Sequence, residues 1–315
     1  MSLNKKKLVA ILGGREYVYS LTLRKFCTPL VRQKFKENGI DFIVATNNAI
    51  AAEQFRQIQD LKVIETTDKI KKEFEARRRE SKTNKSAETR HTINMYANKN
   101  NYDYCIQLDD NIMSIFYRNL NAKFERAKKN QPFAFYELCV LLFDLMEFSN
   151  TGALGYELSC FPCSKKMNIT AGFPYSFFCH RVDKNFLLEN STEDDILMSI
   201  YNGEQNKPSS LIRNCFAYGK TGKRTDKMGN RKLYESMLKT NERGSFCQSK
   251  YPEIYQRKVS YMVKNTTNQK EPFLQHKHTL RKPKFWDETL TLKEGYMQRI
   301  LETLEKIRER EQNYS

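Results

Sequence analysis

Short apolar runs alternate with amphipathic segments over residues 1–112 of the chain. The apolar runs have the length and residue types of buried strands, and they lie at Leu8–Leu12, Asp41–Ala45, Leu61–Ile64 and Tyr104–Leu108. The segments that predict helices lie between them at Cys27–Asn38, Ala49–Gln59 and Ser86–Asn98. In the first of these, Thr28 is the expected cap, Pro29 stands in the first turn and Gly39 is the stop signal. Strand–helix alternation at this spacing predicts a parallel sheet with covering helices.

The remaining two thirds of the chain is less regular. The pattern predicts a strongly apolar helix at Pro132–Phe148, strands at Gly152–Leu158 and Ser176–Val182, and a helix that opens at Glu193 and ends at Tyr201. A loop rich in Gly, Lys, Arg and Thr follows at 216–232, then a mostly helical stretch at 233–265 and a final helix at Leu290–Arg310. We therefore expect an α/β fold with a Rossmann-type, mostly parallel sheet flanked by helices and a helical C-terminal extension. The expected division is a core at 1–215 and a basic loop with a mostly helical region at 216–315.

Two carboxylates and an amide, Asp109, Asp110 and Asn111, follow the fourth predicted strand directly. In open α/β sheets this edge is where ligands bind. Two adjacent carboxylates repel each other unless a cation or several donors neutralise them. The triplet therefore predicts a divalent metal held together with the phosphate oxygens of a bound nucleotide. The alternative is an Asx-rich turn or a helix cap without a ligand.

Four further residues are candidates for contact with phosphate. Gly13 and Gly14 follow the first strand, where glycines let the backbone approach a ligand, and Arg15 next to them could contact a phosphate. Arg90 lies on the helix before the acidic strand, where it could reach a diphosphate, although an ordinary surface charge is the alternative. Neither this glycine pair nor Gly219-Lys220-Thr221 has the spacing of a P-loop, so a P-loop nucleoside triphosphatase is excluded.

A second acidic cluster, Glu193-Asp194-Asp195, opens the predicted helix after residue 192. One interpretation is a general base that deprotonates an acceptor hydroxyl. The other is helix capping, since carboxylates are favoured at a helix N-terminus. His276 and His278 lie in an extended segment near the C-terminus, and either imidazole could complete a metal site begun by the strand-end carboxylates.

The net charge of the chain is +17, from 54 Lys and Arg against 37 Asp and Glu. A charge of this size attracts polyanions, and nucleic acid is the usual one. The alternative is a Lys-rich composition that serves solubility. No apolar run approaches the length of a membrane span, so we expect a cytoplasmic protein.

The chain has eight cysteines. Reduced thiols are expected, because no secretion signal precedes the first strand. Cys160 and Cys163, with Cys179 and His180 downstream, leave a zinc site open as an alternative.

Taken in order, these motifs resemble the GT-A class of nucleotide-sugar glycosyltransferases. Within that class the chain is similar to the phage and trypanosome-type DNA-modifying glycosyltransferases associated with TET/JBP oxygenases, over about residues 8–280. The resemblance implies that Asp109, Asp110 and Asn111 form the DxD-like element, which holds a donor such as UDP-glucose through Mn²⁺ or Mg²⁺. Asn111 stands where the strongest DxD forms have Asp, so the element has one charge fewer.

The resemblance also implies the acceptor and the remaining roles. Glu193, Asp194 and Asp195 are the implied acceptor-side element, and His276 or His278 is the implied additional metal ligand. The implied reaction is transfer of a hexose to a hydroxymethylated pyrimidine in DNA, in the host cytoplasm if the chain is phage-encoded.

Two other functions stay open. A sugar-phosphate nucleotidyltransferase would use a glycine-rich first loop with a basic residue, which Gly13-Gly14-Arg15 partly imitates, but it has no need of so basic a chain. A non-catalytic or nuclease-type DNA-binding protein would suit the charge. A nuclease, however, would place an ExK motif shortly after its first carboxylate, and none follows Asp109 at a short distance.

Overall fold

The computed structural model describes residues 5–76, 85–158, 166–186, 188, 193–220, 242–266 and 269–313. The strands are β1 (Lys7–Leu12), β2 (Ile40–Thr46), β3 (Lys62–Glu65), β4 (Tyr104–Asp109), β5 (Ile112–Arg118), β6 (Phe124–Arg126), β7 (Ala153–Leu158), β8 (Asn168–Ala171), β9 (Phe177–Arg181), β10 (Ser210–Lys220), β11 (Tyr255–Thr266) and β12 (Gln269–Leu280). The helices are α1 (Leu21–Phe26), α2 (Pro29–Glu37), α3 (Ala49–Arg56), α4 (Asp68–Ala76), α5 (Lys85–Lys99), α6 (Gln131–Glu147), α7 (Asp194–Glu204), α8 (Ser245–Lys250), α9 (Phe285–Thr289) and α10 (Tyr296–Gln312), with a short 3₁₀ turn at Tyr17–Tyr19.

The first four strands form the parallel half of a ten-stranded sheet with the order β3-β2-β1-β4-β9-β7-β10-β5-β6, in which β8 also pairs with β10. Successive residues of β1 pack into separate hydrophobic clusters on the two faces of the sheet, as Val9 and Ile11 do on one face and Leu8 and Ala10 on the other. A strand that is covered on both faces has a continuous apolar sequence, so such a strand can be predicted from the sequence. The expected α/β class, with a mostly parallel sheet, flanking helices and a helical C-terminus, is confirmed.

The helices of this half begin where side chains satisfy the free amides. The Thr28 hydroxyl accepts a hydrogen bond from the amide of Val31 at 3.4 Å, and Pro29 occupies the first turn of α2. The Asn48 side chain accepts from the amides of Ile50 and Ala51 at the start of α3. These caps are local in sequence, so the predicted starts of α2 and α3 agree with the structure.

The second half of the sheet contains antiparallel strands. β9 runs antiparallel to both β4 and β7, and β10 runs antiparallel to β5 and β8 but parallel to β7. The basic loop expected from Phe216 was wrong at its start, because β10 continues to Lys220. Phe216, Ala217 and Tyr218 are fully buried in the sheet, and burial against neighbouring strands outweighs the glycine and lysines that suggested a loop. The predicted boundary between residues 215 and 216 therefore falls within a strand, and the rest of that loop lies outside the described residues.

The mostly helical stretch expected at 233–265 was also wrong where the structure describes it. Only α8 is helical there, and β11 then pairs with β12 in an antiparallel hairpin. Val259, Tyr261 and Val263 alternate with polar residues at the period of two that is typical of a strand. The final helix, α10, begins at Tyr296 rather than Leu290, and its residues Ile300, Leu304 and Ile307 belong to the main hydrophobic core.

The described residues contain no helix that is long and apolar enough to cross a membrane. Cys179 is fully buried in the main core, and burial raises the pKa of its thiol well above the ordinary value. His180, on the neighbouring position, contacts Gln107 through its Nε2 atom at 3.1 Å. Cys160 and Cys163 lie outside the described residues, so the zinc alternative stays a prediction.

Candidate functional site

The loop after β1 and the acidic end of β4 lie side by side. The two strands are parallel neighbours, and Leu12 at the end of β1 is in register with Asp109 at the end of β4. A Cβ atom added to Gly13 would lie 2.6 Å from Cγ1 of Val44, so Gly13 allows the loop to pack against β2. A Cβ atom added to Gly14 would meet no described atom within 4 Å. Gly13 is therefore a packing residue, while Gly14 faces open space at the sheet edge.

Arg90, on α5, is the centre of a buried charged cluster and has 7% of its side chain exposed. Its guanidinium donates to Oε1 of Gln107 at 3.1 Å and to Oδ1 of Asp109 at 3.0 Å. Its Nε atom lies 2.6 Å from Oδ2 of Asp194 at the start of α7, and the guanidinium lies over the ring of Phe178. Arg90 therefore ties the end of β4 to the N-terminus of α7.

Lys220, the last residue of β10, reaches the other oxygen of Asp109. Its Nζ atom lies 2.6 Å from Oδ2 of Asp109 and 2.6 Å from the hydroxyl oxygen of Ser176. Burial alone would raise the pKa of Asp109, but the charges of Lys220 and Arg90 outweigh it and lower the pKa to about 2. The Asp109 carboxylate is therefore ionised and fully compensated by side chains of the chain itself.

Asp110 lies in a different environment, with 10% of its side chain exposed. Its Oδ1 atom lies 3.6 Å from a terminal nitrogen of Arg15, which follows the glycine pair. Burial raises the pKa of Asp110 to about 7; Arg15 opposes this shift and the charge of Asp109 adds to it. The Oδ1 atom of Asn111 is buried and has no hydrogen-bond partner among the described residues.

Asp194 and Asp195 begin α7, as predicted, and face the end of β4. Burial raises the pKa of Asp194 to about 7; the charge of Arg90 opposes the shift, and that of Asp195 adds to it. Burial also raises the pKa of Asp195, against the charge of Arg90. Asp195 is less buried than Asp194, and its Oδ1 atom accepts from the amide of Ile196 at 2.9 Å. Asp194 is thus held by Arg90, while Asp195 keeps a partly exposed carboxylate at the site.

Glu193 and His278 both contact Tyr255 at the start of β11, on the side of the site next to the β11–β12 hairpin. Oε1 of Glu193 lies 3.6 Å from Nε of Arg243, and the Glu193 side chain also hydrogen-bonds Tyr255 at the start of β11. The ring of His278 stacks on that of Tyr255, with centroids 5.6 Å apart and planes 23° apart. Burial lowers the pKa of His278, while the charge of Asp195 opposes this change.

The predicted metal ligands whose side chains the structure describes do not form one centre. Both carboxylate oxygens of Asp109 are taken by Arg90 and Lys220, and His278 packs on Tyr255 of the hairpin. His276 pairs with Val259 in the β11–β12 ladder, and its side chain lies outside the part of the chain that the structure describes. Across the described ranges, no three His, Cys, Asp or Glu side chains are grouped so that they could hold an ion. The described members of the predicted set therefore do not form a metal centre on Asp109, and the role of His276 stays a prediction.

Sequence reasoning missed Lys220, Ser176 and Gln107. Gln107 donates to Oδ1 of Asn94 at 2.7 Å and accepts a hydrogen bond from Arg90, so it helps to hold the Arg90 guanidinium in place. Lys220 lies 111 residues from Asp109 and was considered only as part of a P-loop fragment. The available signal was a lysine two residues after the short apolar run Cys215–Tyr218, which predicts a charge at a sheet edge.

Comparisons with protein-family models and with curated proteins find no match for the chain. Among solved structures, CMP:2-keto-3-deoxy-manno-octonic acid synthetase in complex with CTP is similar with a TM-score of 0.34 and 11% sequence identity. The similarity covers 75% of this chain and 98% of that one. A similarity this weak carries no information about activity or substrate, which the geometry of the site must supply.

Proposed function

We propose that the chain is a glycosyltransferase that moves a hexose from a nucleotide sugar, such as UDP-glucose, to a hydroxymethylated pyrimidine in DNA. The observation that carries the proposal is the arrangement at one sheet edge. Asp109 ends β4 and Asp110 follows it, beside the open loop after β1, and Arg90 ties Asp109 to Asp194 at the start of α7. A donor-side element and an acceptor-side element thus face each other across one buried arginine.

The donor diphosphate would lie at the edge between β1 and β4. Gly14 leaves room for a close approach to the backbone, and Arg15 and Lys220 supply positive charge within reach of Asp110 and Asp109. Cations placed there stabilise the negative charge that develops on a departing diphosphate. Arg90 hydrogen-bonds Gln107 and Asp109 and forms an ion pair with Asp194, so its role in this proposal is to position the carboxylates.

Asp195 is the proposed general base. It lies within electrostatic reach of Asp109 and Lys220 on the donor side and of His278 on the hairpin side. In the proposed step the acceptor hydroxyl oxygen forms a bond to the anomeric carbon of the sugar. The bond from that carbon to the diphosphate oxygen breaks, and the diphosphate leaves with the electron pair. Asp195 takes the hydroxyl proton.

DNA as the acceptor rests on charge and on the surroundings of Asp195. The net charge of +17 favours a polyanionic partner, and phosphate contacts supply most of the non-specific affinity of such proteins for DNA. A base within a duplex must be turned out of the stack to reach Asp195. The exposed ring of His278, which stacks on the buried Tyr255, is the proposed stacking surface for such a base.

The test is mass spectrometry of nucleosides from hydroxymethylated DNA incubated with the protein and a panel of sugar nucleotides, with and without Mn²⁺. A hexose added to the hydroxymethylated pyrimidine is expected, and unmodified DNA should gain none. Asp195→Asn should lower transfer at least about 100-fold, as loss of a general base does. Asp68→Asn, at a side chain 90% exposed on α4, is the matched control and should keep full transfer. No sugar on DNA with any donor would refute the proposal.

A sugar-phosphate nucleotidyltransferase is the second candidate, favoured by the open position of Gly14 next to Arg15. Such an enzyme would release pyrophosphate from a nucleoside triphosphate and a sugar phosphate, and DNA would stay unmodified. Measuring pyrophosphate release in the same preparation separates the two activities. DNA binding with neither product would favour a non-catalytic binding protein, and cleaved DNA a nuclease.

A further inference from the structure

Lys220 lies among the carboxylates at this edge of the sheet. Its ammonium contacts Asp109 directly and also acts electrostatically on Asp110 and Asp195. The three carboxylates come from two different elements, the end of β4 and the start of α7. One side-chain cation thus lies among carboxylates that would otherwise repel each other.

The lysine is held in this position by a built set of contacts. Ser176, with 4% of its surface exposed, offers its hydroxyl to Lys220, and its carbonyl oxygen accepts from the amide of Asp109 at 2.9 Å. The residue before Lys220 pairs with Ser114 of β5, so the backbone is fixed in the sheet. An ammonium has three donors, and Asp109 and Ser176 engage two of them. The third is left for an anion at the open edge, where 30% of the Lys220 side chain is exposed.

We infer that Lys220 is the cation of the diphosphate subsite, and that it lets the site take a diphosphate group without a divalent metal. The inference rests on the proposed function for the nature of the ligand. A metal ion at Asp109 would have to displace Lys220 and would still lie beside the guanidinium of Arg90. A phosphate oxygen, in contrast, is attracted by both groups and needs neither to leave.

Inorganic pyrophosphate is the probe, because its binding requires no sugar, base or DNA. Binding to the full chain is measured by calorimetry, once in EDTA and once with Mg²⁺ in excess. Wild type is expected to bind in EDTA, with less than about threefold change on adding Mg²⁺. Lys220→Met is expected to bind at least about tenfold more weakly in EDTA, which corresponds to about 1.4 kcal/mol. Mg²⁺ should restore its binding, because Asp109 and Ser176 are then open to the metal.

Lys184→Met is the matched control. Lys184 is exposed and follows β9 at its far end, next to Arg181, which pairs with the start of β4 rather than with its acidic end. The Lys184→Met variant should bind pyrophosphate with wild-type affinity both in EDTA and with Mg²⁺ in excess. If Lys220→Met does not fold, Lys220→Gln keeps a donor to Asp109 without the charge and is expected to bind at least about tenfold more weakly than wild type in EDTA.

A lysine that serves the fold alone would give a different result. Wild-type binding that requires Mg²⁺, wild-type affinity of Lys220→Met in EDTA, or a loss in that variant that Mg²⁺ does not restore would each overturn the inference. The outcome is separate from that of the proposed function. Pyrophosphate binding without sugar transfer leaves the inference intact, and sugar transfer that depends on Mn²⁺, with no metal-free pyrophosphate binding, leaves the proposed function intact.

Discussion

Replacing Arg90 by methionine removes a buried cation that forms ion pairs with both Asp109 and Asp194. Asp109 keeps its 2.6 Å contact with Lys220, so Asp194 is the carboxylate that loses its compensating charge. Only 8% of the Asp194 side chain is exposed, so water cannot replace the guanidinium without structural change. We expect the Arg90→Met variant to fold but to be strongly destabilised.

The expected loss is about 3–5 kcal/mol in the free energy of unfolding at pH 8, the usual effect of leaving one partner of a buried ion pair alone. The loss should shrink as the pH falls. Burial raises the pKa of Asp194 to about 7 in the folded protein, above its ordinary value of 3.8. A carboxyl whose pKa is raised on folding costs stability as the pH rises through that window, and removal of Arg90 raises the pKa further. Protonation at pH 5 relieves most of the cost.

Urea unfolding at pH 5 and pH 8 measures both effects, and the single tryptophan of the chain, Trp286, is buried and reports unfolding by fluorescence. Arg299→Met is the matched control, because Arg299 also forms short contacts with an aspartate, Asp144, but in a pair with 22% and 27% of the side chains exposed. Exposed pairs contribute about 0–1 kcal/mol. A loss in Arg90→Met no larger than that in Arg299→Met, or the same loss at both pH values, would refute the reasoning.

Two further predictions concern stability, again measured by urea unfolding. Asp110→Asn should gain stability relative to wild type as the pH rises from about 4 to about 7, because burial raises the pKa of Asp110 to about 7 and its ionisation then costs stability; a pH-independent difference would contradict this. Gly203→Ala should cost about 1–3 kcal/mol, since its Cβ atom would lie 2.5 Å from Cζ2 of Trp286, whereas Gly14→Ala, in open space, should change stability by less than about 0.5 kcal/mol. Equal effects of the two alanines would show that the contact with Trp286 relaxes freely.

The parts of the fold that the sequence predicts are those whose signals are local. β1 and β4 are apolar runs buried on both faces, and α2 carries its own cap at Thr28. The parts that it does not predict depend on partners far along the chain. β10 mixes apolar residues with Arg213 and Asn214 and ends at a glycine and a lysine, and its pairing with β5, β7 and β8 makes it a strand.

In the candidate site, too, the features set by local sequence are predicted and those set by distant partners are not. The position of Asp109 and Asp110 at a strand end follows from the apolar run before them, and the structure places them there. The partners of each carboxylate do not follow, because α5, β10 and α7 meet at this edge only through the sheet topology. Sequence alone therefore identifies a pair of carboxylates that must be neutralised, but not the group that neutralises each one.

The partners of the carboxylates decide how the pair is interpreted. From the sequence alone, Asp109 and Asp110 require a cation, and a divalent metal is the simplest one that two adjacent carboxylates can share. In the structure Asp109 is compensated by Arg90 and Lys220, and Asp110 is paired with Arg15. Arg90, expected to bind the diphosphate, holds Asp109 and Asp194 together, and its contact with a diphosphate stays a prediction. The positive charge available to a ligand at this edge then comes from Arg15 and Lys220, one from the loop after β1 and one from the end of β10. A donor bound between Arg15 and Lys220 would contact both halves of the sheet. Replacing Lys220 is therefore a more informative test of this site than replacing Asn111, the third residue of the acidic triplet.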